Sequence, residues 1–152
     1  MIKLIAIVDG CFGLSRRGEI PWSFREDMAF FRRQTEFSTV VMGRKTFDSI
    51  SRNPLKNRVN CILSRSLKSV GDVEVFSSPS RLMDKYKCFW VMGGAEIFSY
   101  FLRNNLVNYA LITKVHQSHD ADRFMDESAL STFNCGTMKQ NSWYTIYEYT
   151  KI

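Results

Sequence analysis

Asp27 is an acid in apolar company. Read at helical spacing, the stretch Ser23-Phe24-Arg25-Glu26-Asp27-Met28-Ala29-Phe30-Phe31-Arg32-Arg33 sets Phe24, Asp27, Met28 and Phe31 on one face. Arg25, Glu26, Arg32 and Arg33 fall to the other side. A carboxylate on a buried stripe is costly unless a cation or hydrogen-bond donors meet it, and desolvation raises its pKa. Those are the properties of an acid poised for chemistry or for gripping a polar ligand. The structural alternative is a helix cap or a first-turn acid favoured by the helix dipole.

A second chemistry lies in two glycine turns. In Val40-Val41-Met42-Gly43-Arg44-Lys45-Thr46 and Val91-Met92-Gly93-Gly94-Ala95-Glu96, glycine follows an apolar strand and opens a helix. Such turns let a phosphate approach backbone N–H groups at the positive end of a helix. The first lacks the upstream glycine of a P-loop, and neither is a GxGxxG. Together with Arg44 and with Ser64-Arg65 after the next strand, they suggest a ligand carrying a pyrophosphate and a further phosphate.

These residues need a scaffold, and the chain alternates to supply one. Apolar runs predict strands at Lys3–Val8, Thr39–Met42, Val59–Leu63, Val73–Phe76, Phe89–Met92, Tyr109–Val115 and Trp143–Lys151. Helices are expected around Asp27, around Phe47 and Ile50, from Pro79 at its favoured first position, and over Ala95–Arg103. Between Gly10 and Gly18 the chain reads as a glycine-rich loop. Repeated β-α-β argues for an α/β fold: a mixed, mainly parallel central sheet of about eight strands flanked by about four helices. The last two predicted strands break the rhythm and suggest an antiparallel edge. At 152 residues one domain, 1–152, is expected.

Composition excludes several classes. Apolar residues make up 45% and charged residues 24%, an ordinary globular balance. Met1 to Val8 lacks the basic leader of a signal peptide, and no apolar run reaches membrane-spanning length, so a cytoplasmic protein without a membrane partner is expected. The four cysteines are scattered without a CxxC pair, which argues against zinc and disulfides; no metal is expected. His116 and His119, beside Asp120, read as a polar loop. A formal charge of +6 favours an anionic partner. The charge is dispersed and no RNP-like motif is present, so no specific nucleic acid is expected.

Order, spacing and residue type together resemble the dihydrofolate reductase family over essentially the whole length. The resemblance rests on Ile5-Ala6, Ile20-Pro21-Trp22, Asp27-Met28-Ala29-Phe30-Phe31, Val41 through Ile50, Arg58, Leu63-Ser64-Arg65, Val91 through Phe98, Thr113 and Ala121-Asp122-Arg123-Phe124. It implies NADPH-dependent reduction of 7,8-dihydrofolate to tetrahydrofolate by hydride transfer to C6 and protonation of N5. It further implies antifolate binding, and a monomer is expected.

By that resemblance Asp27, Trp22 and Thr113 form the catalytic group, with Asp27 on the 2-amino group and N3 of the pterin. Ile5, Ala6, Met28, Phe31, Ile50, Arg52, Leu55 and Met92 belong to the substrate pocket, and Arg58 takes the glutamate α-carboxylate. Ala6, Ile20 and Phe98 lie near the nicotinamide, with Gly13 also on the cofactor side. Gly43, Thr46, Gly93, Gly94 and Ala95 border the pyrophosphate. Arg44, Ser64 and Arg65 meet the 2′-phosphate, while Lys45, Ser49, Leu63, Glu96 and Ile97 complete the cofactor set. Phe98 stands where relatives often have Tyr, Glu96 where some have Arg, and Ala121 where Gly is frequent. A reductase of the same fold acting on another heterocycle is one alternative, against which Pro21-Trp22, Asp27 and Arg58 argue. A non-catalytic basic binding module is the other.

Overall fold

The computed structural model describes residues 1–17, 25–69 and 71–152. Its centre is an eight-stranded sheet in the order β5-β4-β3-β6-β1-β7-β10-β9. The strands are β1 (Ile2–Val8), β3 (Thr39–Gly43), β4 (Val59–Leu63), β5 (Val73–Phe76), β6 (Phe89–Val91), β7 (Tyr109–Val115), β9 (Phe133–Gln140) and β10 (Tyr144–Lys151). From β5 across to β7 all neighbours are parallel, and β10 and β9 close that side antiparallel.

Side-chain alternation divides the core into two layers. Ile5, Val40, Met42, Ile62, Trp90, Leu111 and Ile146 face one way, where α1 (Arg25–Thr35) adds Phe30 and α2 (Arg44–Ser49) adds Phe47. Leu4, Val8, Val41, Cys61, Val91, Ala110 and Ile112 face the other. There α3 (Pro79–Lys85) adds Leu82 and α4 (Ala95–Arg103) adds Phe98, Phe101 and Leu102. This is the doubly covered, mainly parallel sheet expected from the apolar runs. Pro79 opens α3, and Ser78 caps it by accepting from Arg81 N at 3.3 Å. Cys61 is fully buried, and burial pushes its thiol up to about 12.

Two expectations are corrected. β7 and β10 pair antiparallel as expected, but the strand at the edge beyond them is β9, which carries no apolar pattern because seven of its eight residues are exposed. The glycine-rich segment is not all loop: β2 (Gly13–Ser15) pairs with β8 (Arg123–Phe124) in a separate two-stranded sheet. Among the described residues no helix is long and apolar enough to cross a membrane.

Candidate active site

Helix α1 meets the sheet at β7, β9 and β10, through Asp27–Thr113, Glu26–Lys139 and Glu26–Tyr144, and alternation along β7 puts Leu111 and Thr113 on that face. Thr113 is buried, and its hydroxyl donates to Asp27 Oδ1 at 2.7 Å. Burial raises the Asp27 carboxyl above its ordinary range, and the Thr113 hydrogen bond opposes part of that rise. The predicted stripe is corrected in its phase. Phe30 is the buried anchor of α1, Phe31 is partly buried, and Met28 is 64% exposed at the rim. Phe24, with Ile20 and Trp22, lies outside the described residues.

The same sheet face gathers five of the other predicted substrate residues. Ile5 is buried in that layer, and Phe31, Ile50, Leu55 and Met92 pack against it. Leu55 is held by Asn60, whose amide accepts from Leu55 N at 3.0 Å and donates to Leu55 O at 2.9 Å. Asn60 also donates to Arg58 O at 3.1 Å. Arg58 Nε donates to Lys56 O and Nη1 to the buried Thr35 hydroxyl, both at 2.9 Å. Its guanidinium stands 6.0 Å from the centre of the Phe31 ring. Partial burial lowers its pKa from the ordinary value; nearby Glu36 opposes this and Arg32 adds to it. Arg52 points elsewhere, to Asp48 at 2.7 Å.

The carboxyl ends of the parallel strands form a ledge. Gly43 pairs with Leu63, and Leu63 pairs with Phe76, so Arg44, Ser64-Arg65 and Ser77 follow three strands that end level. Toward the sheet centre Gly43 N donates to Gly93 O at 2.9 Å, which joins the two glycine turns. Gly93 has φ +121°, the Gly93–Gly94 peptide is cis, and a Cβ on Gly94 would lie 3.4 Å from Thr46 Oγ1. A Cβ on Gly43 would press on Ile97 at 3.1 Å. Ala6, Ala95 and Ile97 pack on the opposite core layer, where Phe98 is buried. Arg44 pairs with Asp48 at 2.7 Å, so Asp48 bridges two arginines. Ser49 donates to Thr46 O at 2.6 Å, while Lys45 and Glu96 are exposed.

Sequence reasoning missed two polar anchors. Asp9, fully buried at the end of β1, accepts from Cys11 N, Gly13 N and His119 N, each at 2.8 Å. Burial would raise its pKa, but these backbone donors outweigh that and hold it low. Asp9 also explains Gly13, where a Cβ would fall 2.8 Å from its carboxylate and 2.6 Å from Ala121 Cβ. The other anchor is Asn60. An acid directly after an apolar strand and an amide inside one were the signals available. Further along, Asp122 accepts from Arg17 N at 2.9 Å and Asp120 meets Arg16 at 2.5 Å.

Comparison with known proteins agrees with this architecture. The family model for dihydrofolate reductase matches residues 1–150. Dihydrofolate reductase from Candida albicans is 30% identical, covering 80% of this chain and 73% of that protein. The Bacillus subtilis dihydrofolate reductase is also 30% identical, covering 93% and 85%. A bifunctional dihydrofolate reductase-thymidylate synthase from Paramecium tetraurelia is 30% identical over 84% of this chain, but the match spans only 29% of that longer protein. The solved dihydrofolate reductase from Enterococcus faecalis, complexed with NADP(H) and RAB-propyl, superposes with a TM-score of 0.84. It is 24% identical, covering 99% of this chain and 95% of that one, and carries the likeness of fold. On the family match and the relatives at 30% identity, this chain belongs to the dihydrofolate reductase family.

Proposed function

We propose that the chain reduces 7,8-dihydrofolate to 5,6,7,8-tetrahydrofolate with NADPH, by hydride transfer to C6 and protonation of N5. The observation that carries this reading is the Asp27–Thr113 pair at 2.7 Å, set against one apolar wall. Asp27 accepts from the 2-amino group and N3 of the pterin, so the substrate supplies the donors that the wall lacks. Its negative charge favours the protonated pterin, and Thr113 fixes the carboxylate's orientation. By the family resemblance Trp22, outside the described residues, would fix an ordered water. Ile5, Phe31, Ile50, Leu55 and Met92 exclude bulk water, with Met28 closing the rim. Arg58 spends two donors on Lys56 and Thr35, and its remaining N–H groups are free to fork onto the glutamate α-carboxylate.

The ledge fits a dinucleotide. Adjacent strands lie about 4.8 Å apart, so the row from Gly94 through Gly43 and Ser64 to Ser77 spans roughly 14 Å. Gly43, closely packed on Ile97 and bonded to Gly93 O, holds the two turns together, and Gly94 at the start of α4 offers backbone to a pyrophosphate. Ala6 and Phe98 border the nicotinamide end, and Arg44, Ser64 and Arg65 the 2′-phosphate end. When bound, NADPH supplies the hydride; the protein contributes orientation, exclusion of water and electrostatics. The test is NADPH oxidation at 340 nm with and without dihydrofolate. Oxidation that requires dihydrofolate and is blocked by an antifolate is expected. Oxidation indifferent to dihydrofolate would overturn the assignment.

A further inference from the structure

We propose that Arg81, on α3, is a further specificity-determining residue that reads the cofactor's 2′-phosphate together with Arg65. The inference rests on the NADPH reading above and extends it to a side chain outside the β4 and α2 positions. Beyond the level ends of β4 and β5 the ledge opens into a groove of about 620 Å³, lined by Ser64, Arg65, Lys68, Ser77, Arg81 and Asp84 among others. That volume suits part of a nucleotide. Three cations and three serine hydroxyls line it, with a single carboxylate.

The cations are also uncommitted. Arg65, Lys68 and Arg81 make no ion pair among the described residues, and Arg81 does not pair with Asp84 three residues further along its helix. Arg44, by contrast, is already engaged with Asp48 at 2.7 Å. Elsewhere on the same helix Lys85 is neutralised by Glu74 at 2.5 Å. A groove that gathers unpaired positive charge is complementary to a doubly charged phosphate.

Arg81 is better mounted for this than Lys68. Its backbone N–H is fixed by the Ser78 cap, and its neighbour Leu82 is fully buried under the sheet. Lys68 stands in the connection between β4 and β5. A guanidinium on a fixed base forks onto phosphate oxygens, whereas an ammonium acts as a point charge.

Calorimetric titration with 2′,5′-ADP and 5′-AMP isolates the contact, because the probes differ only in the 2′-phosphate. Arg81→Gln is expected to weaken 2′,5′-ADP and NADPH roughly three- to tenfold while leaving 5′-AMP within about twofold. Arg81→Lys should recover part of the loss, since it keeps the charge and loses the fork. Unchanged 2′,5′-ADP affinity, or equal loss for both probes, would overturn the role of Arg81 while leaving the NADPH reading in place. A wild-type protein that did not distinguish the two probes would overturn both.

Discussion

Asp27 is held in a setting that disfavours its charge, and its neighbour Thr113 offsets only part of that penalty. Because burial raises its pKa above the ordinary 3.8, ionising it costs more in the folded chain than in the unfolded one. Its contribution to stability is therefore fully present below the ordinary value and is lost as pH rises through the folded pKa. Without ligand at neutral pH, the ionised acid burdens the fold. Asp27→Asn should accordingly be more stable than the parent at pH ~7 by roughly 0.5–2 kcal/mol, with the gap narrowing as pH falls. Thermal unfolding of the ligand-free proteins across that range checks this, and a variant less stable than its parent at neutral pH would count against a desolvated acid. At Arg58 the expectation concerns substrate alone. Arg58→Lys loses a charge-assisted fork of roughly 1.5–3 kcal/mol, so the KM for dihydrofolate should rise about one to two orders of magnitude. A pterin lacking the glutamate tail should be spared, and equal losses for both would refute the carboxylate contact.

Elements carry these residues because each is tied down by a few polar contacts. Asn60, inside β4, holds the loop that carries Leu55 and Arg58, both proposed to meet the substrate. Asn60→Ala would leave the Leu55 N–H and C=O without these partners, at a cost of about 1–3 kcal/mol. A lower Tm is expected, with the KM for dihydrofolate rising more than that for NADPH; the reverse order would detach this loop from the substrate side. The legibility of the elements follows the same physics. Strands β1, β3, β4 and β6 were readable because parallel strands covered on both faces are continuous apolar runs. Strand β9 lies at the sheet edge with almost nothing buried, so no periodicity could announce it. The phase of α1 differs from the expected one because Met28, although apolar, is exposed while Phe30 takes the core.

At the scale of the molecule, the sheet separates two jobs. One face, under α1 and α2, brings Asp27, Thr113 and the apolar wall together; the other, under α3 and α4, supports Ala6, Ala95, Ile97 and Phe98, the residues proposed for the cofactor side. The level strand ends join the two. The paired glycine turns and the buried acid were legible from residue type and position. The commitment of Arg44 to Asp48 and the groove shared by Arg65 and Arg81 were not, because both depend on side chains from separate elements meeting in space. The central claim is that a desolvated Asp27 grips and polarises the pterin. Single-turnover hydride transfer from NADPH to dihydrofolate, followed against pH in the parent and in Asp27→Asn, tests it most directly. The variant should lose about two orders of magnitude or more at pH ~7 and recover as pH falls, when the pterin arrives already protonated from solvent. A variant that kept near-parental rates at neutral pH would reduce Asp27 to a structural acid at the start of a helix.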